Sequence, residues 1–275
     1  MTRLNCPDFS LTTEITKPER EFFEQNGFIL YRNFISKEEV KFILHEVSIV
    51  ENDWLKRGYK KIYGTPLRIG EDQNGRRVIQ RFCFLSLFNP KLKFLIEKLQ
   101  ASGLPGLHPE EGARFAENEW DGLIMNHYFL SGKSSFRKMG WHIDVLRNIF
   151  YGQRISPMLN VGIHLDDCPF QNGGLRFIPG SHKQGLIPLL LSKKHFIDNR
   201  PDQREKGVDI CAGDLTVHNG RLWHRVAPSP LTGSCGKRRV MYISIIAGKY
   251  RPRNEKSKTP LYHRFGMAKW LKEKF

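Results

Sequence analysis

The N-terminal part of the chain combines helix-start signals with helical apolar spacing. Ser/Thr-x-x-Glu capping boxes begin at Thr16 and Ser36, and each predicts a helix that starts at the next residue. After Ser36, apolar residues recur at the i, i+3, i+4, i+7 spacing of one helix face: Val40, Ile43, Leu44 and Val47. Between the two helices, GFILYRNF is typical of a strand. A third helix is expected between Asn89 and Gly103.

From Gly122 onward, the chain changes to short apolar and aromatic runs separated by turn residues, a pattern typical of strands. We place strands at GLIMNHYF, MGWHID, PMLNVGIHL, GLRFIPG, GVDICAG, DLTVHN, LWHRVA and RRVMYISIIAG. Because no long helices separate these runs, they favour a jelly-roll sandwich or barrel over a doubly wound parallel sheet. The predicted class is mainly β (α+β), in one domain over residues 1–275, with helical support over about 1–120 and a β core over about 121–250.

The composition fits a globular protein. Of 275 residues, 40% are hydrophobic, which is enough for a packed core. No run approaches the roughly 18 consecutive apolar residues of a membrane span, and the first residues lack the apolar stretch of a secretory signal. The 5 cysteines are scattered and form no C-x-x-C motif, as expected for thiols in a reducing compartment. We therefore expect a cytoplasmic protein that does not associate with membranes.

The net charge of +16 arises from 44 Lys and Arg against 28 Asp and Glu. A positive potential of this kind concentrates anions near the surface. The basic residues are spread along the chain, without the compact basic run and interleaved aromatics that are typical of nucleic-acid binding. Either the partner is a small anion or the excess charge serves solubility.

The best candidate chemistry lies in GWHIDV. His142 and Asp144 are two residues apart on a predicted strand, so their side chains can meet one metal ion on the same face. Because isolated H-x-D triplets are common, a third ligand is needed. His224 in GRLWHRVAPSP is best placed, and His218 in LTVHN is its nearest rival. Two imidazoles and one carboxylate are the ligand set of non-haem Fe(II) oxygenases, which keep positions open for a co-substrate and O2.

A 2-oxoglutarate co-substrate would need a buried cation for the carboxylate that does not chelate iron. The run KRRVMYISI supplies Arg238 and Arg239 on a strand that can run beside the strand of His224. Because side chains alternate along a strand, only one of the two arginines can point inward. The sequence pattern leaves open which one does.

At this point a family resemblance is evident. The stretch from Trp141 to Ile245 resembles the phytanoyl-CoA dioxygenase family of Fe(II)/2-oxoglutarate-dependent oxygenases, and FFEQNGFILYRNFISKEEV resembles the family's opening elements. The similar segments are WHID, LDDCPFQNGGLRFIPGSHKQG, AGDLTVHNGRLWHRVAPSP and RRVMYISI. The resemblance implies a double-stranded β-helix of the jelly-roll/cupin type, whose wide end holds the iron.

The resemblance also implies roles for individual residues. Iron would be bound by His142, Asp144 and His224. Arg238 would bind the distal carboxylate of 2-oxoglutarate, with Arg239 as the fallback. These assignments rest on the order and spacing of the four segments that resemble the family's motifs.

Asn126 and Asn160 fall near positions at which the family places polar contacts to 2-oxoglutarate. The implied activity is that of a hydroxylase that uses Fe(II), 2-oxoglutarate and O2, oxidises a C–H bond of a small molecule, and releases succinate and CO2. Related halogenases have a small residue in place of the carboxylate ligand, so Asp144 favours hydroxylation over halogenation.

Several other conspicuous residues lie in predicted turns. His182 follows Pro179 and Gly180, and we expect it to have a structural role. Asn172 with the two glycines after it is interpreted as a turn and not as a phosphate-binding loop, because no Lys-Ser/Thr follows. Asp166 and Asp167 are expected to cap a turn or to be solvated.

The long segment 183–206 between core strands is expected to be a lid or a binding loop. The basic residues of this segment are Lys193, Lys194, Arg200 and Arg204. Together with the C-terminal KYRPRNEKSKTPLYHRF, they could bind a carboxylate or phosphate of the substrate, or they could be solvated. Two other functions remain open: a nucleic-acid-directed oxidative demethylase, suggested by the charge, and a non-catalytic jelly-roll protein that binds metal.

Overall fold

The fold is known from a computed structural model that describes residues 2–72, 74–129, 136, 138–146, 148, 154–231, 236–260 and 263. The helices are α1 (Lys17–Asn26), α2 (Lys37–Lys56), α3 (Leu85–Phe88), α4 (Lys93–Gln100) and α5 (Leu186–Leu191). The strands are β1 (Thr2–Arg3), β2 (Phe28–Tyr31), β3 (Lys61–Ile62), β4 (Thr65–Pro66), β5 (Arg68–Glu71), β6 (Arg77–Phe82), β7 (Arg114–Phe115), β8 (Ile124–Tyr128), β9 (Met139–His142), β10 (Met158–His164), β11 (Gly174–Phe177), β12 (Lys206–Gly207), β13 (Leu215–Asn219), β14 (His224–Ala227) and β15 (Arg238–Ile246). Within these described residues, no helix is both long and apolar enough to cross a membrane.

Both predicted capping boxes form. The backbone N–H of Thr16 donates to Glu19 Oε2 at 2.7 Å, and the backbone N–H of Ser36 donates to Glu39 Oε2 at 2.6 Å. The N–H groups of the two glutamates donate back to the hydroxyls of Thr16 and Ser36. These bonds use backbone donors that the first helical turn leaves without partners, so α1 and α2 begin where the sequence predicts.

The third predicted helix is also confirmed, although it begins with a 3-10 turn, Pro90–Leu92, before continuing as α4. The N-terminal part also contains strands beyond the one predicted at GFILYRNF. Strands β5 and β6 pair with each other, and β6 pairs with β8. Apolar and polar residues alternate poorly in their sequences, RIGE and RVIQRF. Pairing with β8, and not a local preference, therefore keeps this segment extended.

Two sheets form the core. The larger sheet has the strand order β2-β13-β10-β15-β8-β6-β5, with β7 beside β15, and the smaller sheet has the order β1-β12-β11-β14-β9. The strands predicted from Gly122 onward form, except that GVDICAG was wrong as a full strand. It pairs only at Gly207, in β12, and at Ile210, in an isolated bridge to Cys168. Beyond Ile210, the Asp214 carboxylate accepts from the backbone N–H of Cys211 and bends the chain into a turn.

Alternation decides what each face of the larger sheet buries. On β10, β13 and β15, one set of side chains is aliphatic and packs beneath the helices, and each contributes about 1.5–3 kcal/mol to stability: Leu159, Val161, Ile163, Leu215, Val217, Met241, Ile243 and Ile245. The alternate set is mostly polar or small: Asn160, Gly162, His164, Thr216, His218, Arg238, Tyr242 and Ser244. The fold therefore places a polar strip on the face opposite the helices.

His164, within this strip, makes the folded state sensitive to acid. Its Nε2 lies 3.0 Å from Thr216 Oγ1, and burial lowers the pKa of His164 from 6.5 to about 4. The unfolded chain binds a proton near pH 6.5, whereas the folded chain does not until about pH 4. We therefore expect the free energy of unfolding of metal-free protein to fall as the pH drops through this window, by about 3 kcal/mol for this residue.

Urea denaturation of the metal-free protein between pH 7 and pH 4 checks this expectation. The His164→Gln variant should lose less stability than the wild type over that range. If the two proteins lose stability equally, His164 does not remain neutral in the folded state.

Candidate active site

Three potential metal ligands meet at one end of the smaller sheet. His142 ends β9 and His224 begins β14, and the two residues are direct partners in the antiparallel pair. Their imidazole centroids are 4.1 Å apart. The ligand atoms of His142, Asp144 and His224 all lie within 4.8 Å of one another, and all three residues are buried.

The sequence pattern predicted Asp144 on the same strand as His142, and this was wrong, because Asp144 lies beyond the end of β9. The backbone N–H groups of Asp144 and Val145 donate to the Gly220 carbonyl at 2.7 and 3.1 Å. Gly220 belongs to the turn between β13 and β14. Hydrogen bonds between two turns, and not strand alternation, therefore hold the carboxylate beside the histidines.

Backbone hydrogen bonds determine which nitrogen of each histidine can bind a metal. His142 Nδ1 lies 2.7 Å from the Gly140 carbonyl, and His224 Nδ1 lies 2.9 Å from the Leu222 carbonyl. A carbonyl only accepts, so each Nδ1 carries a proton and, in the neutral ring, Nε2 has a lone pair. Burial lowers the pKa of His142 to about 4 and that of His224 well below its usual value. Both rings are therefore neutral at pH 7 and can bind a cation through Nε2.

Two side chains from the polar strip hold the carboxylate. Asn160 Nδ2 donates to Asp144 Oδ2 at 3.0 Å, and His218 Nε2 lies 3.1 Å from the same oxygen. Asn160 and His218 are register partners on β10 and β13. His218, the rival ligand of the sequence prediction, therefore contacts the carboxylate of Asp144.

A cavity of about 80 Å³ extends from these ligands into the space between the sheets. Both predicted asparagines line it, together with Arg81 and Tyr128. Asn126 Nδ2 donates to the Tyr128 hydroxyl at 3.2 Å, and Asn126 Oδ1 accepts from Arg81 Nη1 at 3.4 Å. Asn126 thus lies in the cavity wall, whereas Asn160 contacts the ligand Asp144.

Arg238 and Arg239 lie on opposite faces of β15. Arg238 is buried, and its Nη1 donates to the Ala227 carbonyl on β14 at 2.8 Å. Arg239 forms a bidentate ion pair with Asp166, through Nε at 2.8 Å and Nη2 at 2.5 Å. Ala227 lies three residues beyond His224, about 10 Å along the strand. The Arg238 guanidinium therefore lies against β14, the strand that begins with His224.

Comparison with protein families agrees with this geometry. Residues 23–229 match the family model described as phytanoyl-CoA dioxygenase (PhyH). The chain belongs to the phytanoyl-CoA dioxygenase family. It is therefore a non-haem iron and 2-oxoglutarate-dependent enzyme, which confirms the family predicted from the sequence motifs. No curated protein matches the chain in sequence.

Solved structures share its fold. The non-haem α-ketoglutarate-dependent epimerase SnoN from nogalamycin biosynthesis is 18% identical, with 85% of this chain and 84% of that chain covered and a TM-score of 0.57. EvdO2 from Micromonospora carbonacea var. aurantiaca, complexed with 2-oxoglutarate, is 16% identical, with 89% and 97% covered and a TM-score of 0.57. HygX from Streptomyces hygroscopicus, with nickel and 2-oxoglutarate bound, is 14% identical, with 87% and 90% covered and a TM-score of 0.60. The predicted mainly β class and double-stranded β-helix core are confirmed.

Several cavity residues of this family member were missed by the sequence analysis. Burial raises the pKa of Tyr128 to about 12 and that of Tyr242 well above its usual value, so both hydroxyls stay neutral. The Tyr242 ring packs against Gly162, where an added Cβ would lie 2.8 Å from the ring. Alternation along RRVMYISI places Tyr242 on the face of Arg238 and could have identified it. Arg81 gave no such signal, because β6 was not predicted.

The turn residues lie outside the metal centre of the enzyme. His182 Nε2 donates to the Glu24 carbonyl at 3.1 Å. Asp166 binds Arg239, and Asp167 Oδ1 accepts from the backbone N–H of Ala212 at 2.8 Å. Asn172 ends a 3-10 turn and is followed by two glycines with positive φ. His182, Asn172 and Asp167 have structural roles in or between turns, as the sequence analysis expected, whereas Asp166 is bound to Arg239 of β15 and is neither a turn cap nor solvated.

Three basic residues of segment 183–206, namely Lys193, Arg200 and Arg204, have acidic partners within that segment. Lys193 and Arg204 form ion pairs with Asp202, and Arg200 forms an ion pair with Asp198. Of the basic C-terminal segment, residues 261, 262 and 264–275 lie outside the described part of the chain. Arg253, within the described part, donates to the carbonyls of Tyr63 and Lys258.

The two side chains that contact the Asp144 carboxylate, Asn160 and His218, give a first test of the metal centre. We expect Asn160→Ala and His218→Ala each to lower the affinity of the metal-free enzyme for a divalent cation by about 10–100-fold, because each removes a group that orients the carboxylate. Titration with Co(II) measures this affinity, and His182→Ala, outside the centre, is the matched control. Wild-type affinity in both variants would show that the carboxylate needs neither donor.

Proposed function

We propose that the protein is an Fe(II)/2-oxoglutarate-dependent dioxygenase that hydroxylates an unactivated C–H bond of a small molecule and releases succinate and CO2. The observation that carries this proposal is the convergence of two neutral imidazoles and one carboxylate at the head of a cavity. This donor set suits Fe(II) and leaves adjacent coordination positions for a co-substrate and O2. Residues 1–275 are proposed to act as one catalytic domain.

In this proposal His142 and His224 hold iron through Nε2, and Asp144 holds it through its carboxylate. Iron bound there supplies the activation of O2, and the chain supplies orientation and a water-poor cavity. His218 and Asn160 keep the carboxylate directed toward the two histidines. The protonated Nδ1 of each ligand histidine stays on a backbone carbonyl, which prevents the ring from turning its other nitrogen toward the metal.

The co-substrate contacts are proposed on the same basis. Arg238 is buried beside β14, and we assign to it the distal carboxylate of 2-oxoglutarate. Arg239, the fallback of the sequence analysis, is a weaker candidate because Asp166 already engages its guanidinium. Asn126 is proposed as a further polar contact from the cavity wall, and Asn160 as a contact that it would share with Asp144.

Hydroxylation is the proposed outcome because Asp144 occupies the carboxylate position that halogenases leave open. SnoN, with a similar fold, is an epimerase, so the outcome must be tested directly. Mass spectrometry distinguishes the two reactions. A hydroxylated product gains one oxygen atom, whereas an epimerised product keeps the mass of the substrate.

The substrate is proposed to carry a carboxylate or phosphate, which the net charge of +16 favours. Among the described residues that line the cavity, Arg81 is the cation that could meet this group. Its Nη2 donates to Asp121 Oδ2 at 2.8 Å, so a substrate anion would share this guanidinium with Asp121. A cytoplasmic location is also proposed, and it is supported by the free thiols of the described cysteines: Cys6, Cys83, Cys168 and Cys211.

The experiment that tests the function is succinate formation from 2-oxoglutarate by protein loaded anaerobically with Fe(II) and then exposed to O2. We expect the wild type to turn over slowly without substrate and His142→Ala to have no activity. Candidate substrates are then compared by how far they raise succinate formation above the uncoupled rate. A wild type that binds no iron, or a His142→Ala variant with unchanged turnover, would overturn the proposal.

A further inference from the structure

A segment outside the sheets runs along the strand that carries His142. We call residues 192–206 the strap. The backbone N–H of Phe196 donates to the Trp141 carbonyl at 2.8 Å, and the N–H of Trp141 donates to the Asp198 carbonyl at 2.7 Å. The indole Nε1 of Trp141 donates to the Arg200 carbonyl at 2.9 Å. Because β9 ends the smaller sheet's strand order, the strap pairs with its edge.

The strap is also tied to β14, the strand that carries His224. Arg225 donates to Glu205 through Nε at 2.9 Å and Nη2 at 2.8 Å, and both side chains are at most 3% exposed. Arg225 Nη1 also donates to the Asn199 carbonyl at 3.1 Å. A buried bidentate pair holds its partners in one geometry. The strap is therefore attached to both histidine-bearing strands.

Phe196 is the point at which the strap reaches the metal centre. Its ring stacks on the His142 imidazole, with centroids 4.7 Å apart and planes 24° apart. The strap backbone lies so close to β9 that a Cβ on Gly140 would be 2.7 Å from the carbonyl group of Phe196. Glycine at position 140 thus permits the contact.

Packing in the core does not explain two features of Phe196, its exposure and its backbone conformation. The side chain is 47% exposed although it is large and apolar. Its φ is +60°, in the left-handed region that residues other than glycine rarely adopt. Strained backbone of this kind is concentrated at functional sites, where the surrounding structure enforces it. Here the strained conformation places the ring on a ligand histidine.

We infer that Phe196 is a positioning residue for the metal centre, which makes the strap part of that centre and not only a lid. The inference rests on the proposed function, because it requires His142 to bind the metal. The bond from Nδ1 to the Gly140 carbonyl fixes one edge of the imidazole, and the ring can still tilt about that edge. Stacking of Phe196 on the ring face restricts the tilt, so Nε2 stays directed at the metal.

The test uses variants of the full chain in metal-free form, titrated with Co(II). We expect Phe196→Ala to lower Co(II) affinity by about tenfold, the lower end of the range for groups that orient a ligand. The ligand-field absorption of bound Co(II) should also change, because the imidazole direction is no longer fixed. Phe196→Tyr keeps the stacked ring and should retain wild-type affinity and spectrum. Ile197→Ala, at the adjacent and 66% exposed position, is the matched control.

Phe196→Gly separates the ring from the backbone strain, because glycine adopts positive φ without cost. We expect it to lose affinity as Phe196→Ala does. Wild-type affinity and spectrum in Phe196→Ala, or recovery of both in Phe196→Gly, would overturn the inference. Thermal melting of each metal-free variant shows whether the substitution unfolds the protein. If Phe196→Ala is unfolded, Phe196→Leu, which keeps the apolar bulk without stacking, must show the spectral change. If neither the wild type nor Ile197→Ala binds Co(II), the proposed function itself fails, and the inference fails with it.

Discussion

Replacement of Asp144 by alanine is expected to abolish turnover of 2-oxoglutarate and to lower the affinity for divalent metal by more than about 100-fold, because a lost ligand costs more than a lost orienting group. Only the neutral imidazoles of His142 and His224 would remain. Asn160 and His218 would lose their shared acceptor, and the loss at the buried His218 would cost about 1–3 kcal/mol. The variant therefore loses the anionic ligand and the shared acceptor of one side chain from β10 and one from β13.

Thermal melting with and without Co(II) measures this loss independently of activity. A metal that binds only the folded state raises the melting temperature, so the wild type should be stabilised and Asp144→Ala should not. Asp167→Ala is the control, because that carboxylate accepts from the Ala212 N–H in an outer turn and should not affect the shift. If Asp144→Ala keeps the metal-induced shift, the carboxylate is not a ligand.

The second large effect is expected at Arg238. Arg238→Gln should raise the KM for 2-oxoglutarate by about 30-fold or more, because removal of one member of a buried charge pair costs about 2–5 kcal/mol. Co(II) affinity should remain near that of the wild type, since Arg238 contacts β14 at Ala227, beyond the ligand His224. Succinate formation at increasing 2-oxoglutarate concentration measures the KM.

Arg239→Gln is the matched control for this prediction. It breaks the ion pair with Asp166, whose side chains are 23% and 19% exposed, and leaves the side chains that line the cavity unchanged. Its KM for 2-oxoglutarate should be close to that of the wild type. The reverse result, a normal KM in Arg238→Gln and a raised KM in Arg239→Gln, would assign the co-substrate to Arg239.

The local elements were predictable because neighbouring residues encode them. A capping box requires only a hydroxyl and a carboxylate three residues apart, so Thr16 and Ser36 mark the starts of α1 and α2 correctly. The same holds for β10 and β15, whose alternate side chains separate into aliphatic and polar sets. The segment GVDICAG misled the prediction, because a side chain at its end, Asp214, captures a backbone N–H and turns the chain.

The parts that could not be predicted depend on which strands become neighbours. β6 was missed because pairing with β8 stabilises it, and Arg81 of the cavity was missed with it. Phe196 was not identified because nothing in the local sequence indicates that this segment folds back on β9. Such contacts join residues distant in the chain, and their stability appears only after packing has brought the segments together.

The sequence by itself determined the chemistry of the centre: two histidines, a carboxylate and a following arginine, in an order that identifies the family. Tertiary structure decided how they act. Register places Arg238 inward and Arg239 on Asp166, and turn-to-turn hydrogen bonds place Asp144. His218 became a partner of the carboxylate. The physical reason is that side-chain identity sets what a residue can bind, whereas pairing between distant segments sets where its atoms point.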